Sequence, residues 1–135
     1  MYSETKALIS NFISDIWNDR KFGLLDKYLH QDYEDHSLPP AFPKGKEGLE
    51  MWITHTSKSF HHFTTIEEQL AEDCRCVVQV SIRFEHIGTW RGIEPTGKVV
   101  KAPGFRMFKV QDGLIADHRA LIDGNFIESQ LRAAP

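Results

Sequence analysis

Residues 77 to 123 read VVQVSIRFEHIGTWRGIEPTGKVVKAPGFRMFKVQDGLIADHRALID, three runs rich in β-branched and aromatic residues joined by two Gly-containing turns. The pattern predicts strands near 64–71, 75–88, 98–110 and 114–123, three of them much longer than the roughly six residues of an ordinary strand. Strands of that length bend, and Gly88, Gly92 and Gly104 offer places for kinks or bulges. A bent antiparallel sheet needs something across its open side. The last run ends on Asp123, a carboxylate among apolar residues. Such a charge costs several kcal/mol unless it is paired, hydrogen-bonded or protonated, which makes it the first residue to question about function.

The N-terminal half supplies the cover. Ala7, Leu8, Phe12, Ile13, Ile16 and Trp17 follow Ser3 at helical spacing, with Glu4 near the start. Residues 21–30 predict a short second helix, and 44–61 a third with Leu49, Trp52, Ile53 and Phe60 on its buried side. Between them, HQDYEDHSLPPAFPKG holds three prolines and reads as a loop. A C-terminal helix is expected over 124–132. Helices first and a curled sheet second make an α+β chain, expected as one domain over 1–135.

Composition removes several function classes. A net charge of −3 with no basic cluster argues against nucleic acid. No stretch approaches the roughly 18 apolar residues of a membrane span, and MYSETKALISNF lacks the pattern of a signal peptide. Cys74 and Cys76, one residue apart, would point to opposite faces of a strand, which suits neither a disulfide nor a shared metal. Free thiols in a cytoplasmic protein, with no metal and no cofactor, are expected. The tandem His61-His62 is read the same way, because adjacent residues do not face together.

Four segments together resemble a known family: Asp32-Tyr33-x-Asp35-His36-Ser37; Pro43-x-Gly45-x-Glu47-Gly48; His86-x-Gly88-x-x-x-Gly92-Ile93-x-Pro95-Thr96-Gly97-Lys98; and Asp112-Gly113-x-Ile115 with Asp123 eight residues on. They resemble the SnoaL-like polyketide cyclases of the NTF2-like superfamily over about residues 5–130. The resemblance implies an α+β cone with a deep pocket and an aldol-type cyclisation without metal or organic cofactor. It implies that Asp123 is the acid/base carboxylate and that Arg106 stands where the founding cyclases carry His. Arg119 stands where many relatives carry Trp. Arginine cannot exchange a proton near neutral pH, so both departures favour an acidic or strongly polarised ligand over a plain polyketide.

The candidate site is therefore Asp123, Arg106 and His36 for chemistry, with Arg119, His86, Trp52, Phe108 and Trp17 as substrate contacts. On a strand, 117, 119, 121 and 123 share one face; if that face looks inward, Arg119 can hold Asp123 ionised. The alternative is that Asp123 caps the helix beginning near Gly124. Arg106 shares parity with Gly104 and Phe108. Pointing inward, it would stabilise an enolate oxygen or anchor a ligand carboxylate; pointing outward, it would be one more solvated cation. His36 sits in a proline-bounded loop of the kind that rims pockets, and His86 either faces the pocket or pins the following loop. Arg83 and Glu85 with Asp123 weakly resemble the Asp-Arg-Asp set of limonene-epoxide hydrolases, although a cross-strand salt bridge also explains them. Three readings stay open: a small enzyme acting on an apolar carbonyl compound, a non-catalytic binding or association domain of the same fold, and an epoxide-hydrolase-like or isomerase-like enzyme built on the same pocket. Apolar residues of both strand parities, Phe105 and Met107 against Phe108 and Val110, lead to the expectation of a homodimer.

Overall fold

The computed structural model describes residues 2–134. Helix α1 (Tyr2–Phe12) continues into a π-helical segment (Ile13–Asn18), closed by the five-residue step from Asp19 N to Ser14 O at 3.0 Å. Together they bury one stripe: Ile9, Phe12, Ile13, Ile16 and Trp17. A 3₁₀ turn (Phe22–Leu24) and α2 (Leu25–Tyr28) follow, and α3 spans Lys46–Ser59. Five strands form a curved, unclosed sheet in the order β1-β5-β4-β3-β2: β1 Leu29–Asp35, β2 Phe60–Glu72, β3 Arg75–His86, β4 Val99–Gln111 and β5 Leu114–Ile122. Helix α4 (Gly124–Arg132) crosses back over β4.

Alternation decides which face is covered. Cys76, Val78, Val80 and Ile82 on β3, and Val100, Ala102, Gly104, Arg106 and Phe108 on β4, are buried against the helices. One main core lies under α1 and α3; a smaller one, with Phe60, Val100, Ala102, Ile127 and Leu131, lies under α4. A bulge between Ile66 and Glu68 switches the inward parity of β2, so Gln69 turns in to reach Lys6 O and Ser10 Oγ on α1. Gly88 ends β3 against α3: a Cβ there would stand 2.1 Å from Lys58 O, so only glycine permits the approach.

Two expectations are corrected. Residues 29–35, taken within helix and loop, are a strand, β1, parallel to β5 through Leu29↔Ile115 and Asp35↔His118. Leu29, Tyr33 and Asp35 are buried on it, and its polar residues Gln31, Asp32 and Glu34 are exposed. Strand β2 also begins at Phe60, four residues before the expected start, and this adds His62 to the inward face.

Candidate active site

The concave side of the sheet and the helices enclose a cavity of about 350 Å³. Trp17, Trp52, Phe60, Phe84 and Trp90 give it aromatic walls, and Ile82, Ile122 and Ile127 aliphatic ones. Its polar groups are Thr56, Thr64, His62, Arg106 and Arg91; among the described residues no Asp or Glu lines it.

Arg106 is brought in by strand parity and is 4% exposed. Its register partner on β5 is Ala120, and that small residue leaves room for a guanidinium. The guanidinium carbon lies 4.0 Å from the centroid of Trp17, a desolvated cation–π contact. Among the described residues its one hydrogen bond runs from Nη1 to His118 Nε2 at 3.3 Å, and Nε is buried with no partner. Burial lowers the guanidinium to about 10, with Asp35 and Tyr33 pulling the other way, so it stays a cation at neutral pH.

His62 faces the same cavity from β2. Thr56 and Ser57 both donate their hydroxyl protons to Ile53 O, and their oxygens lie 3.3 and 3.4 Å from His62 Nε2. They therefore accept from an Nε2–H, which leaves the Nδ1 lone pair for the cavity. Burial first, then the charges of Arg20, Arg106 and His61, lower its pKa to about 4, so the ring is neutral at pH 7. Trp17 touches both groups, its ring centroid 6.4 Å from that of His62.

Behind Arg106 lies a buried polar chain. His118 Nδ1 is 2.9 Å from Asp35 Oδ2, and Tyr33 Oη is 3.3 Å from the same nitrogen. Asp35 also accepts from Ser37 N and Oγ. Burial would raise its pKa, but these donors and His118 hold it at about 2.

Of the expected site residues, the structure brings Arg106, Trp17 and Trp52 together around the cavity. Phe108 lies deeper, fully buried between Phe12 and the stacked ring of His118. His86 faces inward but pins the next loop: its Nδ1 accepts from Thr96 N at 3.1 Å. The face shared by residues 117, 119 and 121 is the outer one, so Arg119 is exposed and does not reach the cavity. Asp123 is likewise exposed and accepts from Phe126 N at 3.0 Å as the N-cap of α4. His36 pairs with Asp117, 2.7 Å away, beside an open groove of about 1210 Å³ on the outer side. Arg83 is exposed on that side as well, and Glu85 there meets His61 at 3.5 Å, apart from Asp123. The larger groove is the less suited to a small molecule, being open and edged by Asp32, Glu34, Glu72 and Asp73. Among the described residues no three His, Cys, Asp or Glu side chains converge as a metal would need.

His62 and His118 were missed. The signal for His62 is the alternation Phe60–His62–Thr64, visible once the strand is extended back to Phe60. For His118 it is parity with Ala120 and Ile122, opposite to that of Asp123.

No curated protein matches the chain. Among solved structures, TsrD from Streptomyces laurentii superposes with a TM-score of 0.84 at 24% identity, over 99% of this chain and 98% of that one. IdmH from Streptomyces antibioticus gives 0.85 at 20% identity, over 96% and 99%. A SnoaL-like polyketide cyclase from Agrobacterium tumefaciens gives 0.77 at 14% identity, over 94% and 97%. Identities this low establish a common NTF2-like fold and nothing about substrate. The family described as SnoaL-like polyketide cyclase matches residues 7–131, nearly the whole length, and the chain belongs to that family.

Proposed function

We propose that the protein performs cofactor-free acid/base chemistry, an aldol-type ring closure or an isomerisation, on a flat apolar carbonyl compound held in the cavity. The observation that carries this is Arg106: a buried cation lining an aromatic cavity, hydrogen-bonded to a neutral imidazole and, among the described residues, to no carboxylate. A buried charge with most of its donors unused is suited to an oxygen that gains negative charge. His62 Nδ1 then takes a proton from the carbon alpha to the carbonyl. The C–H electron pair moves into the new C=C bond while the carbonyl π pair goes to the oxygen facing Arg106. The enolate carbon next attacks a second carbonyl, or is reprotonated at another position, and His62 returns the proton. The base is assigned to His62 and not to Asp123, because the Asp123 carboxylate is exposed and engaged by the Phe126 amide.

The test uses 2-tetralone, a flat enolisable ketone, with deuterium exchange at its activated methylene followed by proton NMR in heavy water. Wild-type protein should accelerate exchange over buffer. His62→Gln should lower that acceleration by roughly 10²–10⁴, and Arg106→Met by roughly 10²–10³. No acceleration despite measurable binding would reject the enzyme reading. It would favour the second reading, a small-molecule-binding module, which the lack of a lining carboxylate among the described residues supports.

The same proposal includes a homodimer through the outer sheet face, where Leu70, Phe105 and Leu121 are exposed. It also places the protein in the cytoplasm, in keeping with Cys74 and Cys76 as free thiols.

A further inference from the structure

We propose that Asp35 and His118 are positioning residues that fix the guanidinium of Arg106 by holding His118 in a single neutral tautomer. The proposal rests on the reading of Arg106 as the group that meets the substrate oxygen. An arginine nitrogen can only donate, so the 3.3 Å contact from Arg106 Nη1 makes His118 Nε2 an acceptor. The proton of a neutral His118 must then be on Nδ1, which points at Asp35 Oδ2, 2.9 Å away. Asp35 is itself locked by Ser37 N and Oγ, and the Ser37 hydroxyl accepts from Ala120 N. Ala120 is the residue paired with Arg106, so the chain of contacts returns to the strand pair it started from.

The other surroundings of His118 favour the neutral ring. Phe108 stacks on it at 4.6 Å and 2°, and burial together with Arg106 opposes protonation. Asp35 and Asp117 act in the opposite sense, and Tyr33, its own ionisation suppressed by burial, adds no charge. The result is a guanidinium oriented by an acceptor without being neutralised by it. A carboxylate in direct contact would orient Arg106 equally well but would cancel the charge that the cavity presents. Tethering β1 to β5 needs only the backbone ladder and the bond from Ala120 N to Ser37 Oγ, so it does not explain why the acceptor for Arg106 is an imidazole.

The experiment compares the affinity of 2-naphthoate with that of its neutral analogue 2-naphthamide by calorimetry. Wild type should prefer the carboxylate, and Arg106→Met should abolish the preference. His118→Leu should reduce it roughly tenfold with 2-naphthamide affinity unchanged. His118→Gln, whose amide can accept from Arg106 and donate to Asp35, should restore most of it. An unchanged preference in a folded His118→Leu protein overturns the proposal while leaving Arg106 in its role. An unchanged preference in Arg106→Met overturns the earlier reading and this one with it. Should His118→Leu fail to fold, nitrogen NMR of histidine-labelled wild type decides the matter. A protonated Nδ1 and bare Nε2 at pH 7 support the tautomer, and the reverse assignment or a doubly protonated ring overturns it.

Discussion

A carboxylate where a strand gives way to a helix can serve the reaction or the chain turn, and Asp123 serves the turn. Its side chain accepts from Phe126 N, satisfying one of the free amides that open α4. Asp123→Ala should therefore cost about 1 kcal/mol in urea unfolding, while Asp123→Asn should stay within a few tenths, because Asn caps as well. Neither should alter exchange into 2-tetralone; a large loss of exchange in a stable Asp123→Asn protein would return the base to this residue. The parity of Arg106 with Gly104 and Phe108 grouped the three residues without saying which way they face, and the structure turns them inward. His62 was not legible, because the His61-His62 pair falls where the sequence predicts the helix over 44–61 to end and not a strand. Only His61 is at the surface, 3.5 Å from Glu85, and the strand that separates the two faces begins earlier than composition suggests.

Among the elements, α4 was readable to the residue, since an Asp-Gly start and an amphipathic run mark it. Strand β1 was hidden because parallel pairing is non-local: its partner β5 lies some 80 residues on, with Asp35 opposite His118. Its polar residues and following prolines look like loop. Both edges of the sheet, β1 with Asp35 and β2 with His62, should be acid-labile. Both His62 and Asp35 have folded pKa values below their ordinary ones, at about 4 against 6.5 and about 2 against 3.8. Each stabilises the fold fully above its unfolded pKa and ceases to as pH falls through its folded one. The losses are on the order of 3 kcal/mol between pH 6.5 and 4 for His62, and about 2 kcal/mol between 3.8 and 2 for Asp35. Urea unfolding over a pH series should show the first slope, and His62→Gln should flatten it. A slope unchanged in that variant would mean that His62 is charged in the folded protein.

For the whole molecule, the side of the sheet away from the helices is the exposed one. Leu121 is 77% exposed and Leu70 74%, and Phe105 and Val77 lie on the same face. Leu70 and Val77 are register partners, as are Phe105 and Leu121, and exposed apolar pairs on a sheet face fit a partner better than water. Light scattering at micromolar concentration should give the mass of a dimer, and Leu121→Glu with Phe105→Glu should give a monomer with the pocket intact. A wild-type monomer would remove the proposal. The general architecture, helices over a bent sheet, was legible because it depends on periodicity. Which face of β5 looks inward was not, because the register slips against β4 between Lys109 and Val110, and no residue type marks the slip.

The pairing of Arg106 with Ala120 has a wider consequence. The two residues stand opposite each other without exchanging backbone bonds, since the Ala120 amide donates to Ser37 Oγ, and the ladder on either side of them would form with almost any side chains at these positions. The floor of the pocket is in that sense exchangeable: a larger residue at 120 with a smaller one at 106 would preserve the sheet while changing what it recognises. A fold arranged this way can drift from one substrate to another while its strand pairing stays in place. Members of such a lineage would share a shape long after they ceased to share a reaction.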